Sequence, residues 1–241
     1  DNDDNKFELN YVYSQKKMGP VFELKKSIAS INGNQWLINP MDKSDHSFSF
    51  NRLSNKFDLN SFEAVSKNQK VSLSMSYLNA DDFNFELIAE NVLIDRLDIP
   101  SKNFQMGGTL DLDIGFTRSF FKNSLNIDGN ILGFNLNKLS MGNLSFFTEG
   151  NTEYNSYDIN LLLLDGVKKT LIGKGNIFGL GEKPSLDIDF NFNDFNISFL
   201  NPLGKGDVNN IRGKVSGDVN LSGSINSLSH QGKLTLNDGG L

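Results

Sequence analysis

The stretch that decides the fold is Gly204–Leu241, which reads GKGDVNNIRGKVSGDVNLSGSINSLSHQGKLTLNDGGL. Apolar residues occupy alternate positions in it, as at Val219 and Leu221 and again at Leu234 and Leu236, with small or polar residues between them. A side-chain period of two is that of extended chain with one apolar face and one polar face. Glycines at short intervals predict turns, bulges or close approaches of another backbone. The stretch therefore predicts consecutive amphipathic β-strands.

The same alternation runs through the rest of the chain, for example in residues 71–77, 110–116 and 186–192. We expect an all-β fold whose strands, about five to nine residues long, are joined by short polar turns. No linker rich in proline or serine interrupts the pattern. Residues 1–241 are therefore expected to form a single continuous repetitive β region. Because the pattern stops abruptly at Leu241, we expect this region to be a piece of a longer chain.

Two segments depart from strict alternation. In Ala89–Leu97 the apolar residues are irregularly spaced, and we favour a strand over a short helix there. At Asn193–Asp194 the register shifts before Phe195, which predicts a β-bulge or a tight bend.

The composition argues against several classes of function. A net charge of −6 without a clustered basic patch argues against nucleic-acid binding. The absence of cysteine excludes thiol catalysis, zinc–thiolate sites and disulfides. No apolar run approaches the roughly 20 residues that a membrane-spanning helix needs. The two histidines, His46 and His230, stand in polar settings, and we expect surface positions for them rather than metal ligation.

Two carboxylate pairs, Asp111 with Asp113 and Asp187 with Asp189, are the nearest approach to a catalytic pattern. Residues two apart on a strand share a face, so each pair lies opposite an apolar row. A solvated face is a commoner reason for such pairs than a glycosidase site. We therefore predict that the chain is not an enzyme and binds no cofactor or metal.

What remains is an apolar face rich in phenylalanine, of which the chain has 20. This face is either the inside of a closed packing of sheets or the lining of an open groove. In the first case the protein is a structural or adhesive all-β repeat domain without a ligand. In the second case the candidate groove residues are Leu110, Leu112, Ile114, Phe116, Leu186, Ile188, Phe190, Phe192, Val219, Leu221, Leu234 and Leu236.

The run GKVSGDVNLSGSINSLSHQGKLTLNDGGL resembles the repeating glycine and leucine pattern of the TamB translocation and assembly module family, which belongs with the AsmA-like bridge proteins. The upstream runs WLINP and DFNFELIAENVLIDRL are similar to corresponding segments of that family, especially of Bacteroidetes-like versions. The resemblance extends from about Gly33 to the end of the chain, and its last 40 residues or so are the most specific. Leu228–Ser229 stand where the family often has proline.

The resemblance implies an elongated, curled sheet of many short strands, a β-taco or solenoid-like groove with an apolar interior. It implies a periplasmic segment of an envelope-spanning protein of Gram-negative bacteria, attached to the inner membrane through a helix outside this chain. The implied function is phospholipid transport between the inner and outer membranes, outer-membrane protein assembly, or both. The implied partners are phospholipid acyl chains and a BamA/TamA-like outer-membrane barrel protein.

Overall fold

The computed structural model describes residues 5–31, 33–79, 81–97, 104–119, 123–151, 155–179, 184–203 and 210–240. Among these residues lie 17 β-strands and two short 3-10 turns, Ile94–Arg96 and Ser198–Leu203. The predicted all-β class is confirmed. Of the stretch that opened the sequence analysis, residues 204–209 and residue 241 lie outside the described part.

The strands fall into two length classes. The first six have three to six residues: β1 Lys6–Glu8, β2 Tyr11–Lys16, β3 Gly19–Leu24, β4 Ser27–Ile31, β5 Asn34–Ile38 and β6 Ser47–Asn51. The other eleven have 10 to 14 residues: β7 Lys56–Ser66, β8 Gln69–Asn79, β9 Asp82–Leu93, β10 Met106–Arg118, β11 Asn123–Leu136, β12 Leu139–Asn151, β13 Ser156–Asp165, β14 Lys168–Phe178, β15 Ser185–Asn196, β16 Arg212–Ser224 and β17 Ser227–Gly240.

All the strands from β7 onward are longer than the predicted five to nine residues. The reason is that glycines and register shifts lie inside these strands instead of ending them, as at Gly173 and Gly175 in β14. The ambiguous segment Ala89–Leu97 is strand up to Leu93, followed by the 3-10 turn Ile94–Arg96. The strand interpretation is thus right for its first half, and a single helical turn follows it.

The chain divides into two compact units. The first comprises Asp1–Asp98 and Leu110–Asn126, and the second comprises Ile99–Thr109 and Ile127–Leu241. β10 and β11 each contribute residues to both units. The single continuous region expected from the sequence stays a prediction.

In the first unit, the long strand β7 has different partners along its two halves. Its first half pairs antiparallel with β6, as Phe50 opposite Phe57, and its second half pairs with β5, as Ile38 opposite Ala64. β6 continues to β3 and β2, whereas β5 continues to β4 and β1. On its other side β7 pairs with β8, and β8 with β9. The short strands therefore form two rows that share one long strand.

The second unit has a simpler order. Each strand from β12 to β17 pairs antiparallel with the next, so that sequence neighbours are also sheet neighbours. Directly paired residues lie on the same face of a sheet. The pairs Leu161 with Gly173, Gly173 with Phe190 and Phe190 with Val219 therefore continue one apolar row across β13 to β16.

The predicted irregularity at Asn193–Asp194 is a β-bulge. Phe192 lies opposite Gly217 and Phe195 opposite Val215, so two residues of β15 face the single Ser216 of β16. Asp194 takes a positive φ of 50° there, and its N–H donates to the Ser216 hydroxyl at 2.9 Å. The prediction is confirmed.

His46 is buried, with 3 % of its surface exposed, so the expectation of a surface position is wrong for this residue. The cause is the loop between β5 and β6, which folds around the fully buried Asn39. The Asn39 amide donates to the carbonyls of Leu24 and Lys43 at 2.8 and 2.9 Å, and the N–H of Lys43 donates back to its Oδ1 at 2.9 Å. His230, in β17, is exposed as expected.

Within the described residues, no helix has the length and apolar character needed to cross a membrane.

Candidate functional site

The first unit contains an open apolar cavity of about 420 Å³. This volume lies within the ~300–1,000 Å³ typical of pockets that bind small molecules. Twelve of its fifteen lining residues are apolar: Phe7, Leu9, Ala29, Ile31, Trp36, Ile38, Phe62, Ala64, Val71, Val92, Leu93 and Leu97. The remaining three are Asn34, Gln69 and Arg96.

Register explains why these residues converge on one face. Phe7 lies opposite Ala29, and Ala29 lies opposite Trp36 in the neighbouring strand. Ala64 lies opposite both Ile38 and Val71, in the strands on either side of it. Paired residues share a face, so an apolar surface extends from β1 through β4, β5 and β7 to β8.

Two alanines and an isoleucine form the floor of the cavity. Ala29, Ile38 and Ala64 make a buried cluster against which Leu24, Trp36 and Phe62 pack. An alanine beside a tryptophan or a valine leaves volume above the sheet that a larger side chain would fill. The local sequence therefore produces both the apolar lining and the empty space.

Two of the three polar residues, Asn34 and Arg96, lie together at one end of the cavity. Asn34 pairs with Ile31 next to the tip of the β4–β5 hairpin, whereas Ile38 pairs with Ser27 at the far end of the same two strands. The Arg96 guanidinium donates from Nη1 to Asn34 Oδ1 at 2.5 Å, which places the cation at the hairpin tip. The cavity thus has a cationic end and an apolar body.

Gln69 positions the segment that carries Arg96. Its side chain is buried, with 2 % exposed, and its Oε1 accepts the N–H of Leu93 at 2.9 Å. Leu93 is the last residue of β9 and immediately precedes the 3-10 turn Ile94–Arg96. The buried amide therefore ties the start of this turn to β8.

The rim of the cavity opens to solvent. Phe7 is 62 % exposed, Leu9 55 % and Leu97 40 %. Large apolar side chains exposed around a concave apolar surface are typical of sites where another molecule binds.

Four of the predicted groove residues, Leu110, Leu112, Ile114 and Phe116, lie on β10 in the first unit and are half-buried. The Phe116 ring lies 5.6 Å from that of Phe83, which itself contacts Tyr77 at 5.9 Å. Phe116 therefore belongs to an aromatic row of the first unit, and none of the four residues lines the cavity.

The other eight predicted residues lie in the second unit, and register brings six of them together. Ile188 lies opposite Leu221 and Phe190 opposite Val219, with Leu186 and Phe192 in the same row of β15. Ile188 is buried, and the other five are half-buried. The predicted common apolar face on β15 and β16 is therefore present.

Leu234 and Leu236 continue this face onto β17, opposite Gly217 and Val215. They are 47 % and 50 % exposed, much more than the residues of β15. At this strand the apolar row is open to solvent.

The aspartate pair of β15 lies on the polar face, as predicted. Asp187 and Asp189 are exposed, and both accept from the Asn220 amide, at 2.7 and 2.9 Å. The Asn220 amide thus links the two carboxylates across the strands β15 and β16. Among the described residues, no group of three or more His, Asp or Glu side chains is placed to hold a metal ion.

Among the carboxyl groups of the described residues, those of Asp45 and Asp194 have a lowered pKa. Hydrogen bonding to Lys168 holds the pKa of Asp194 below its ordinary value, which fixes the charge at the β15 bulge. Hydrogen bonding to His46 likewise lowers the pKa of Asp45. Neither carboxylate lines the cavity of the first unit.

None of the twelve residues predicted from the sequence lines that cavity. Six of the fifteen lining residues come from the short strands β1, β4 and β5, whose alternation is brief, so the pattern singles them out less than the long rows of β10 and β15. One signal was present in INGNQWLINP, where the only tryptophan of the chain stands between two alternating segments. A tryptophan side chain has a large apolar area. A tryptophan in a strand therefore indicates that this face of the sheet is covered by other residues or by a ligand.

A comparison of the chain with protein-family models, curated proteins and solved structures finds no match.

Proposed function

We propose that the protein binds acyl chains of lipids in the apolar cavity of its first unit. The observation that carries this proposal is the cavity itself, with its volume of about 420 Å³ and its twelve apolar lining residues. Each CH₂ group moved from water into such a lining contributes about 0.8 kcal/mol. Apart from Arg96, the lining holds no charged group, so it offers little to a polar ligand.

We extend the proposal of acyl-chain binding to the apolar row of the second unit. Leu186, Ile188, Phe190, Phe192, Val219 and Leu221 share one face, and Leu234 and Leu236 leave its last strand open. A uniform apolar wall lets an acyl chain slide without a deep minimum at any one point. We propose this row as a second surface along which lipid tails move.

The cellular setting of this proposal comes from the sequence resemblance. On that basis the chain is a periplasmic segment of a TamB-like protein that carries phospholipid between the inner and outer membranes, assists outer-membrane protein assembly, or does both. A BamA/TamA-like outer-membrane protein is the proposed partner.

One observation favours the alternative of a structural domain for the second unit. Its aromatic rings contact each other in a chain, Phe190 to Phe192 at 6.2 Å, Phe192 to Phe195 at 5.4 Å and Phe195 to Phe199 at 5.9 Å. Rings packed in this way fill part of the face and leave less of it for a ligand. On this alternative the row of the second unit is a core without a ligand.

Site-specific photocrosslinking in living cells tests the proposal. Phe7 and Glu8 are adjacent and exposed, but only Phe7 lines the cavity, so a photoreactive amino acid at either position leaves the fold intact. We expect lipid adducts, identified by mass spectrometry, from position 7 and few from position 8. Equal capture at both positions, or none at position 7, contradicts the proposal.

The same comparison separates the two readings of the second unit. Phe190 belongs to the apolar row and its neighbour Asn191 to the polar face. Lipid capture at position 190 alone supports a second lipid surface, and protein-only adducts at position 190 support a closed core.

A further inference from the structure

We propose that the cavity of the first unit takes a single acyl chain of limited length, and that Ala29 and Ala64 set the limit. This proposal rests on the proposed function and adds to it the size of the chain and the residues that determine this size. Both alanines line the cavity and belong to the buried cluster beneath it.

The volume of the cavity limits how much hydrocarbon it holds. A methylene group is similar in volume to a water molecule, which occupies ~30 Å³ in the liquid. The cavity of about 420 Å³ therefore has room for roughly 14 carbons. One acyl chain fits into this volume, whereas the two chains of a phospholipid together exceed it.

The two alanines lie at the bottom of this volume. Ala29 and Ala64 are buried although both line an open cavity, whereas Phe7 at the rim is exposed. A lining residue that is nearly inaccessible to solvent lies below its neighbours. The two methyl groups therefore define the depth of the cavity.

Each alanine has a larger apolar side chain beside it in a neighbouring strand. Ala29 of β4 lies opposite Trp36 of β5, and Ala64 of β7 lies opposite Val71 of β8. Side chains stand roughly perpendicular to a sheet. A methyl group next to a longer side chain therefore leaves a recess above it, into which part of an acyl chain fits.

Strand propensity does not account for alanine at these two positions. Alanine is depleted in β-strands, where β-branched and aromatic residues pack better on the sheet face. Two residues away on the same strands the side chains are larger, Ile31 in β4 and Phe62 in β7. Valine in place of Ala29 or Ala64 would suit the strand and fill part of the recess. The small side chains thus provide space rather than strand stability.

The test is a titration with even-numbered alkanoates, from octanoate to octadecanoate and below their micellar concentrations, followed by the fluorescence of Trp36. This residue lines the cavity and is the only tryptophan of the chain. The wild type is compared with Ala29→Val, Ala64→Val and Ala89→Val. Affinities are taken from titration midpoints, because a substitution beside Trp36 can change its emission without any ligand.

The matched control is Ala89→Val. Ala89 is a buried alanine of β9 in the same unit, and it does not line the cavity. Valine at position 89 inserts the same two methyl groups into packed surroundings, with the same kind of destabilisation. An effect on ligand binding that is absent from this control therefore comes from the cavity.

In the wild type we expect the affinity to rise up to roughly fourfold with each added CH₂ group, the effect of burying one methylene. The rise ends at about 14 carbons, where the volume is filled and further groups stay in water.

In Ala29→Val and Ala64→Val the rise ends about two carbons earlier, since valine adds two carbons to the floor. Tetradecanoate then binds about three- to tenfold more weakly than to the wild type, and decanoate binds nearly unchanged. Ala89→Val keeps the wild-type dependence on chain length. Unfolding midpoints of the three variants check that the fold is kept.

Two outcomes overturn the proposal alone. A wild-type affinity that keeps rising through octadecanoate removes the length limit, and this result needs no variant. The same dependence on chain length in Ala29→Val, Ala64→Val and Ala89→Val removes the role of the two lining alanines. Either result leaves acyl-chain binding in place, whereas the absence of a response to any alkanoate removes the proposed function as well.

Discussion

At the scale of single residues, glycines make room for neighbouring strands. Gly129 lies beneath the ring of Phe146 and Gly150 beneath that of Tyr157, and a Cβ at either position would overlap the ring. At Gly175 and Gly232 it is the backbone that comes close, at the carbonyls of Asp187 and Asp218. The sequence allowed three roles for glycine: a turn, a bulge or a close approach of a neighbouring strand. At these four positions glycine allows the close approach.

A substitution at Gly175 tests this role. A methyl group there would overlap the backbone oxygen of Asp187, and a backbone cannot move aside as a side chain can. We expect Gly175→Ala to lower the free energy of unfolding by about 1–3 kcal/mol. The control is Gly115→Ala, where a Cβ meets nothing within 4 Å and the change is expected to be neutral or slightly stabilising. Denaturant unfolding of both variants measures the difference, and equal costs contradict the account.

At the scale of strands, bulges keep the apolar face continuous where the sequence period breaks. In β15, Phe192 and Phe195 are three residues apart, yet the bulge between them places both on the apolar face. The same device occurs in β7, where Leu59 and Phe62 face Met75 and Leu73 across a register shift. A shift in the alternation can therefore lie inside a strand. From the sequence alone, the same shift could also mark the end of the strand.

The two faces of the second unit differ in burial, which gives a second test. Phe195 lies on the apolar face and is 8 % exposed, whereas Phe147 lies on the opposite face and is 37 % exposed. We expect Phe195→Ala to cost about 3–5 kcal/mol and Phe147→Ala much less, because only the first leaves a cavity. Thermal or denaturant unfolding of the pair measures this. Similar costs would mean that the apolar face is assigned to the wrong side of these strands.

The alternation predicted the strands and the faces of the long rows, because both follow from a local period of two. It could not predict the cavity of the first unit. There the pairing of β7 with β5 over one half and with β6 over the other is non-local, and it decides that Ala64 meets Ile38. The burial of His46 has the same origin, since it depends on the hydrogen bonds that Asn39 makes to Leu24 and Lys43.

At the scale of the whole protein, the described residues form two apolar surfaces. Each unit has its own apolar surface, a concave and polarised cavity in the first and a Phe-rich row in the second. We propose that the cavity of the first unit holds the acyl chain of a lipid.

The central claim is that an acyl chain occupies the cavity of the first unit. The most direct measurement is quenching of Trp36 emission by a dodecanoate brominated along its chain, since bromine quenches only at close contact. Val71→Lys places a charge in the cavity, and Ser72→Lys places the same charge on the opposite face of β8. The account predicts saturable quenching in the wild type and in Ser72→Lys, and its loss in Val71→Lys. Quenching that is absent from the folded wild type, or that survives unchanged in Val71→Lys, would contradict it.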